Sequence, residues 1–334
     1  VAVIEDPRSA PPLRWGILGP GKIARRFVRE ALAHTTQLVT AVGSRNLPRA
    51  QAFAHEFGID SAHGDYRALV EDPDVDVVYV ATPHSEHRAN ALLAIEAGKS
   101  VLVEKPLTRN AGEAREVFDA ATDVGVFVME AMWSRFLPHT IELTEAIARG
   151  VVGDVVGLGA DHGQLLDFGP THRLLNPDLA GGAVLDLGVY PLSFAHLLLG
   201  VPERVTAVGR LTETGVDGHA SIVLSYGPRT QAVIDTTLWS PTPCTAWVAG
   251  DEGRLEVERT FYAPSTFRIT RLDGTSWTFD GRVAGGFQYQ IAEAARRIAE
   301  GEPESPLRTR QDTLEVMALM DEVRAQLGVV YPGE

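Results

Sequence analysis

Arg14-Trp15-Gly16-Ile17-Leu18-Gly19-Pro20-Gly21-Lys22-Ile23-Ala24 reads as a short strand, a glycine turn and the opening of a helix that runs to about His34. The spacing is G-x-G-x-x-A. Gly19 permits a tight turn, Gly21 lets backbone approach a pyrophosphate, and Ala24 allows a helix to pack closely on a sheet. Free N–H groups at the helix start, with the dipole behind them, favour an anion there. A bare match of this kind also fits an ordinary turn. The strand before it and the helix after it favour a dinucleotide, with Gly19, Gly21, Lys22 and Ile23 around the phosphates.

The second strand, Gln37 to Gly43, ends in Ser44-Arg45. A site for NAD places Asp or Glu about 20 residues past the glycines, on the ribose 2′-hydroxyl. No acidic residue lies between Ala31 and His55. Ser44, Arg45 and Arg49 stand there instead and suit a 2′-phosphate, with Arg45 also able to lie on the adenine face. The expected cofactor is NADP, with NAD bound more weakly. A solvated loop with two surface arginines is the competing reading.

A third strand, Val77 to Ala81, runs into Thr82-Pro83-His84-Ser85-Glu86-His87 and a helix from Ala89 to Ala97. Thr82 and Pro83 are expected to wall the crevice beside the cofactor. His84 and His87 lack a Cys or third His at metal-ligand spacing, so they read as hydrogen-bonding residues and no metal is expected. Val101-Leu102-Val103-Glu104-Lys105-Pro106 follows, an apolar strand that stops at a carboxylate, an ammonium and a proline. Ligands of open parallel sheets collect beyond the carboxyl ends of the strands, so Lys105 points to chemistry. The chain has 27 arginines and three lysines, Lys22, Lys99 and Lys105. Arginine stays charged, whereas a buried lysine can trade its proton. A solvated charge after a strand is the bland alternative. Asn110 then caps a helix to about Asp123, and Val124 to Met129 reads as one more strand.

At 334 residues the length suggests about two domains. No unbroken apolar run reaches the roughly 18 residues of a membrane span. A single cysteine, Cys244, fits a reducing cytoplasm. The net charge of −14 argues against nucleic acid or an anionic membrane as partner. Residues 1–12 hold two acids and three prolines; they read as a flexible tail without a signal peptide.

Beyond Met129 the alternation of strand and helix fails. An aromatic segment, Trp133-Ser134-Arg135-Phe136, precedes a helix from His139 to Arg149, and the boundary falls near Met132. The expected domains are 13–132 and 133–334. Val155 to His162 is strand-like. Gly181-Gly182 leads into helical spacing from Leu185 to Leu199, which puts Asp186 and Tyr190 on one face as an i, i+4 pair. From Val205 to Phe279 seven strand-like runs separated by turn signals predict a large open, mainly antiparallel sheet. Two helices, from about Phe287 and from about Gln311, close the chain, the last one expected to return to the first domain.

Four separated motifs now stand together: Gly19–Ala24, Ala81-Thr82-Pro83 with His87, Glu104-Lys105-Pro106, and Gly181-Gly182 with Asp186 and Tyr190. With them the chain resembles the Gfo/Idh/MocA oxidoreductases over nearly its whole length. The resemblance implies a Rossmann domain followed by an α/β domain whose sheet makes oligomer contacts, a catalytic Lys105, and a Lys105–Pro106 peptide that is often cis. Inositol-type members carry histidine at the position of Tyr190. Tyrosine there, with Met129–Arg135, is similar to the branch of dimeric dihydrodiol dehydrogenases and NADP-linked D-xylose 1-dehydrogenases, which use lysine and tyrosine.

The activity so implied is hydride transfer between NADP and an aldose or a vicinal trans-diol. Tyr190 is the expected proton carrier, its phenolate favoured by Lys105; the reverse assignment stays open because the two would titrate as a coupled pair. Asp186 is expected to bind substrate hydroxyls or hold Lys105, or else to be a carboxylate at a helix start. Glu104 shapes the site and contacts the cofactor side with Lys105, Thr82, Pro83 and His87. Trp133, Arg135, Phe136 and Arg173 are candidate substrate contacts, core packing being the alternative for Phe136. A homodimer or homotetramer through the sheet is expected. Two other readings stand beside this one: a redox-neutral sugar oxidoreductase that retains its nucleotide, and a non-catalytic NADP-binding regulator.

Overall fold

β1 (Arg14–Leu18), α1 (Lys22–His34), β2 (Leu38–Gly43), α2 (Leu47–Phe57), β3 (Ser61–His63), α3 (Tyr66–Val70), β4 (Val77–Val80), α4 (His87–Glu96), β5 (Ser100–Glu104), α5 (Ala111–Val124) and β6 (Val128–Ala131) follow one another in the first part of the computed structural model. It describes residues 4–165, 169 and 172–334. The six strands pair in parallel in the order β3-β2-β1-β4-β5-β6. β4 and β6 are buried along their whole length and β5 along all but Ser100, as expected of strands covered on both faces. Phe27 stacks on Tyr79, with ring centroids 3.8 Å apart, and meets Trp15 at a 60° tilt with centroids 5.3 Å apart.

The chain divides into two compact units: Ile4–Trp133 with Gly285–Leu314, and Ser134–Ala284 with Glu315–Glu334. Residues 285–314 thus group with the nucleotide-type sheet, although the sequence reading kept them in the second domain. Within that first unit Arg26 lies over both Trp133 and Phe287, its guanidinium carbon 4.5 and 4.2 Å from the ring centroids. Residues 4–12, read as a loose tail, are packed: Ala10 sits with Ala292 and Ala295, and Arg296 donates to the Asp6 carbonyl (2.8 Å). β6 starts at Val128 and not at Val124, because α5 runs to Val124 and Gly125 ends it in a left-handed conformation (φ 79°). β3 and α3 had no clear sequence signal; they are short and only partly buried.

The second unit holds α6 (Pro138–Ala148), β7 (Val155–Gly163), a π-helical turn at Val184–Gly188, α7 (Val189–Leu199), and strands β8 (Arg204–Leu211), β9 (Asp217–Tyr226), β10 (Thr230–Thr237), β11 (Ala246–Gly250), β12 (Gly253–Val257), β13 (Thr266–Arg271) and β14 (Ser276–Asp280). The sheet order is β14-β13-β12-β11-β7-β10-β9-β8. All pairs are antiparallel except β7 with β10, so the sheet is mixed at its centre. One face buries Ala220, Ile222, Leu224, Ala232, Ile234 and Val248. The opposite face carries Val233 and Trp247, 51% and 43% exposed. Trp247 can lie flat there because Gly159 beneath it has no side chain; a Cβ would sit 2.3 Å from its Nε1. The segment Pro177–Leu199 is long and apolar enough for a membrane span, which the count of unbroken apolar runs missed. It is 83% buried in its most apolar window, as a core helix is.

Candidate active site

The glycine turn is built as a cradle. Gly19 adopts φ 98°, and a Cβ there would meet the Ala81 carbonyl and the Thr82 methyl at 3.0 Å. Gly21 is the N-cap of α1, and among the described residues no side chain caps it. A Cβ on Gly21 would find its nearest neighbour 4.0 Å away, so the space over the α1 N-terminus is open to an anion. Lys22 and Ile23 form the first turn, and Ala24 is fully buried against the sheet. The residues present therefore fit a dinucleotide pyrophosphate.

At the end of β2, Ser44 is buried and its Oγ accepts from the Asn46 N–H (3.2 Å). Arg45 and Arg49 are exposed, and Asn46 caps α2 by accepting from the Arg49 N–H (3.1 Å). Tyr66 joins them from the start of α3. Burial raises its phenol above the ordinary value, and the hydrogen-bonded Arg45 and nearby Arg49 pull it back down. Two cations and two hydroxyls thus gather where an NAD site carries an acid.

Lys105 is half-buried at the end of β5, and the peptide bond to Pro106 is cis. Three contacts hold the backbone on either side. The Lys105 N–H donates to Glu104 Oε2 (3.2 Å), the Pro106 carbonyl faces His87 Nδ1 (2.9 Å), and the Leu107 N–H donates to Glu130 Oε1 (3.0 Å). Glu104 takes a further bond from the Tyr79 hydroxyl; burial raises its carboxyl above the usual range, against the pull of Tyr79 and Lys105. Glu130 is in turn paired with Arg308, whose Nε donates to Oε2 (3.0 Å), both side chains being fully buried.

His87 links two strand ends, because its Nε2 also faces the Thr82 carbonyl (2.8 Å). Only an imidazolium could donate to both carbonyls. Full burial, with His84 and Lys105 nearby, pushes the pKa down to about 3. Burial decides, and the ring is neutral: one contact is a hydrogen bond and the other an unprotonated nitrogen against a carbonyl. Thr82 also accepts from Asn90 Nδ2 at its hydroxyl (3.1 Å).

In the second unit, Asp186 lies on the π-helical turn and pairs with Arg173 (3.2 Å). The two glycines before it make room for their neighbours. A Cβ on Gly181 would strike the Leu174 carbonyl at 2.5 Å, and one on Gly182 (φ 118°) would strike Asp217 Oδ1 at 2.3 Å. Asp217 is wholly buried; its Oδ2 accepts from the Val184 N–H (2.6 Å) at the start of the turn. Burial pushes its pKa up to about 7, with the Val184 N–H opposing. The Tyr331 hydroxyl donates to the Gly181 carbonyl (2.5 Å), tying the C-terminal segment to the same loop.

Tyr190 lies in the first turn of α7 and is 9% exposed. Its ring stacks on Tyr262, centroids 4.0 Å apart and planes 16° off parallel. Tyr190, Tyr262, Phe194, Phe261, Ser193 and Arg135 are among the residues lining one small cleft. Arg135 is buried and braces α7 from within: its Nε donates to Ser193 Oγ (3.1 Å), and its Nη2 to the Ser193 carbonyl (3.2 Å) and His196 Nδ1 (3.3 Å). Phe136 is buried, and Trp133 is packed against Phe287 in the first unit.

The structure therefore gathers Lys105, Glu104, His87 and Thr82 at one set of strand ends, and Tyr190, Arg135, Asp186 and Arg173 around one helix. Sequence reading missed Tyr66, Glu130, Arg308, His162, Asp217 and Tyr262. Only Glu130, a carboxylate inside a buried strand, carried a local signal.

Residues 13–132 match the model of an oxidoreductase family with an NAD-binding Rossmann fold, and residues 140–256 match the GFO/IDH/MocA C-terminal domain. The trans-1,2-dihydrobenzene-1,2-diol dehydrogenase of Mus musculus is 35% identical over 96% of this chain and 98% of its own length. A D-xylose 1-dehydrogenase (NADP(+)) of Hypocrea jecorina is 34% identical over 96% and 93%. Among solved structures, a 3-ketoreductase from Actinomadura kijaniata with NADP and TDP-benzene has a TM-score of 0.85 at 29% identity, covering 95% of this chain and 98% of that one. An aldose–aldose oxidoreductase from Caulobacter crescentus has a TM-score of 0.85 at 25% identity, over 95% and 97%. With both domain models matched in order and full-length relatives above 30% identity, the chain belongs to the GFO/IDH/MocA oxidoreductase family.

Proposed function

We propose that this chain is an NADP-dependent dehydrogenase of an aldose or a vicinal trans-diol, with Lys105 and Tyr190 handling the proton. The observation that carries the reading is the Lys105 turn, in which Glu104, His87 and Glu130 each engage one backbone group around the lysine. Gly19, Gly21, Lys22 and Ile23 would hold the pyrophosphate, and Ser44, Arg45 and Arg49, with Tyr66, the 2′-phosphate. Bound nicotinamide supplies the carbon that accepts hydride.

Removing hydride from a C–H bond leaves the hydroxyl proton to be taken by a base. Tyrosine titrates near 10 when unperturbed, and a nearby ammonium favours its phenolate. Tyr190 is accordingly the proton carrier, and Lys105 orients the substrate oxygen and favours the phenolate. Asp186, paired with Arg173, would accept from a substrate hydroxyl. Arg135 serves by bracing α7. The joint presence of lysine and tyrosine disfavours a purely regulatory protein.

The test is a panel of aldoses and vicinal trans-diols incubated with NADP or NAD, following reduced nicotinamide by absorbance. NADPH formation with at least one member is expected, and silence across both classes would sink the reading. The likeness to the aldose–aldose oxidoreductase supports a second possibility, a retained nucleotide cycled between two sugars. Product formed without free NADPH would select it. We further assign the open sheet face bearing Val233 and Trp247 to contact with a second copy, as a dimer or tetramer; a monodisperse monomer by light scattering would contradict that. The single buried cysteine, Cys244, underlies a cytoplasmic assignment, which cell fractionation checks.

A further inference from the structure

The ring stacked on Tyr190 is itself held. Tyr262 lies between β12 and β13, and its hydroxyl is 3.0 Å from His162 Nε2. His162, at the end of β7, is 2% exposed. Its Nδ1 faces the Leu187 carbonyl at 3.2 Å, and the Gln164 side-chain nitrogen lies 2.9 Å from Nε2. A carbonyl only accepts, so Nδ1 carries the proton. With Nδ1 protonated, the single Nε2 lone pair of a neutral ring is shared between the Tyr262 O–H and the Gln164 amide. Leu187 belongs to the π-helical turn that leads into Tyr190. The contacts therefore close a ring: turn, His162, Tyr262, Tyr190 and back along the chain to the turn. The His162 ring centroid is also 5.7 Å from that of Tyr190.

We propose that Tyr262 and His162 are positioning residues that fix the plane and direction of the Tyr190 phenol. Stacking alone lets one ring slide over the other. Anchoring the Tyr262 hydroxyl on a buried imidazole removes that freedom, and tying the same imidazole to Leu187 sets the anchor in register with α7. Proton transfer is steep in geometry, and an ångström of misplacement costs up to about a hundredfold in rate. Tyr190 is the second residue of α7, and an irregular π-helical turn ends only two positions before it, so no run of regular helix on its N-terminal side aims it. The inference rests on reading Tyr190 as the proton carrier.

The test uses the full chain with NADP bound and the substrate found by the panel, and compares Tyr190→Phe, Tyr262→Leu, Tyr262→Phe and Tyr190→Phe/Tyr262→Leu. Tyr262→Leu is expected to lower kcat roughly tenfold with unchanged NADP affinity. Tyr262→Phe, which keeps the ring and loses its bond to His162, is expected to fall between it and the parent. The double variant is expected to be no slower than Tyr190→Phe, because a residue acting through Tyr190 has nothing left to position. Multiplied losses in the double variant would overturn the proposal, and Tyr262→Phe at parental kcat would overturn the part given to His162.

A second readout does not depend on turnover. In protein labelled with 3-fluorotyrosine, the Tyr190 fluorine signal, assigned by its loss in Tyr190→Phe, is expected to shift and narrow in Tyr262→Leu as the ring is freed. An unchanged signal would overturn the positioning role. Full activity of Tyr190→Phe together with a changed signal would instead reject Tyr190 as proton carrier and leave the stack as described.

Discussion

The Lys105 turn and the Tyr190 turn are held by different kinds of force. Around Lys105 the contacts are polar and made by groups of high desolvation cost: Glu104, Glu130 with Arg308, and the neutral His87. Around Tyr190 they are an aromatic stack, a buried imidazole, and Asp217 beneath the turn. The difference matches what the proposed mechanism asks of each residue. A lysine after a strand needs its backbone fixed at a place where the sheet ladder ends, and charged acceptors supply strong, short-range bonds there. On the proposed mechanism a phenolate that takes a proton needs its ring aimed, and a stacked ring aims it without adding a second charge.

Breaking the charged side should have the largest structural effect. Glu130→Leu leaves Arg308 buried without its partner and frees the Leu107 N–H. A loss of about 3–5 kcal/mol is expected by denaturant unfolding. Glu130→Leu/Arg308→Met should recover part of it, since an uncompensated charge costs more than an absent pair. A single variant as stable as the parent would remove buried charge from the account of this turn.

On the other side, Asp217 makes stability depend on pH. Its folded pKa of about 7 lies above the ordinary carboxyl value of 3.8. Between those values the folded state binds the extra proton, so stability falls as pH rises from about 4 to about 7 and is level beyond. The full swing is at most about 4 kcal/mol. Asp217→Asn should remove that slope, so that the variant gains on the parent more at pH 8 than at pH 5, by thermal unfolding. Equal differences at both pH values would show that Asp217 is not protonated within its pocket.

Exposed charge is the weakest of the three. Arg45→Ala should erode the preference for NADP over NAD by about 1.5 kcal/mol, roughly tenfold, the low end for bonds to charged groups because Arg45 is solvated. Titration with each nucleotide checks it, and an unchanged ratio would move the 2′-phosphate away from Arg45.

How much of this was legible depended on distance along the chain. The glycine turn, the missing acid after β2 and the Glu104-Lys105-Pro106 stop are local patterns, and each was readable where it stood. The C-terminal strands were readable because alternation survives in a half-buried antiparallel sheet. The supports of the site were not. Arg308 reaches Glu130 across 178 positions and Tyr331 reaches Gly181 across 150, and no local pattern announces such pairings. Tyr262 sits in a loop, and only the fold reveals that its ring covers Tyr190. Arg135, expected as a substrate contact, also bonds to Ser193 and His196 on α7, partners 58 and 61 positions away that no local pattern announces.

The most direct measurement of the central claim is turnover of Lys105→Met, Tyr190→Phe and the double variant on a confirmed substrate, with NADP binding measured in parallel. If both residues serve one proton transfer, each single change should remove about 10²–10⁴ in kcat while NADP still binds. The double variant should be little worse than the poorer single one. Near-normal turnover by folded Lys105→Met would contradict the account and return the lysine to a solvated charge at the end of a strand.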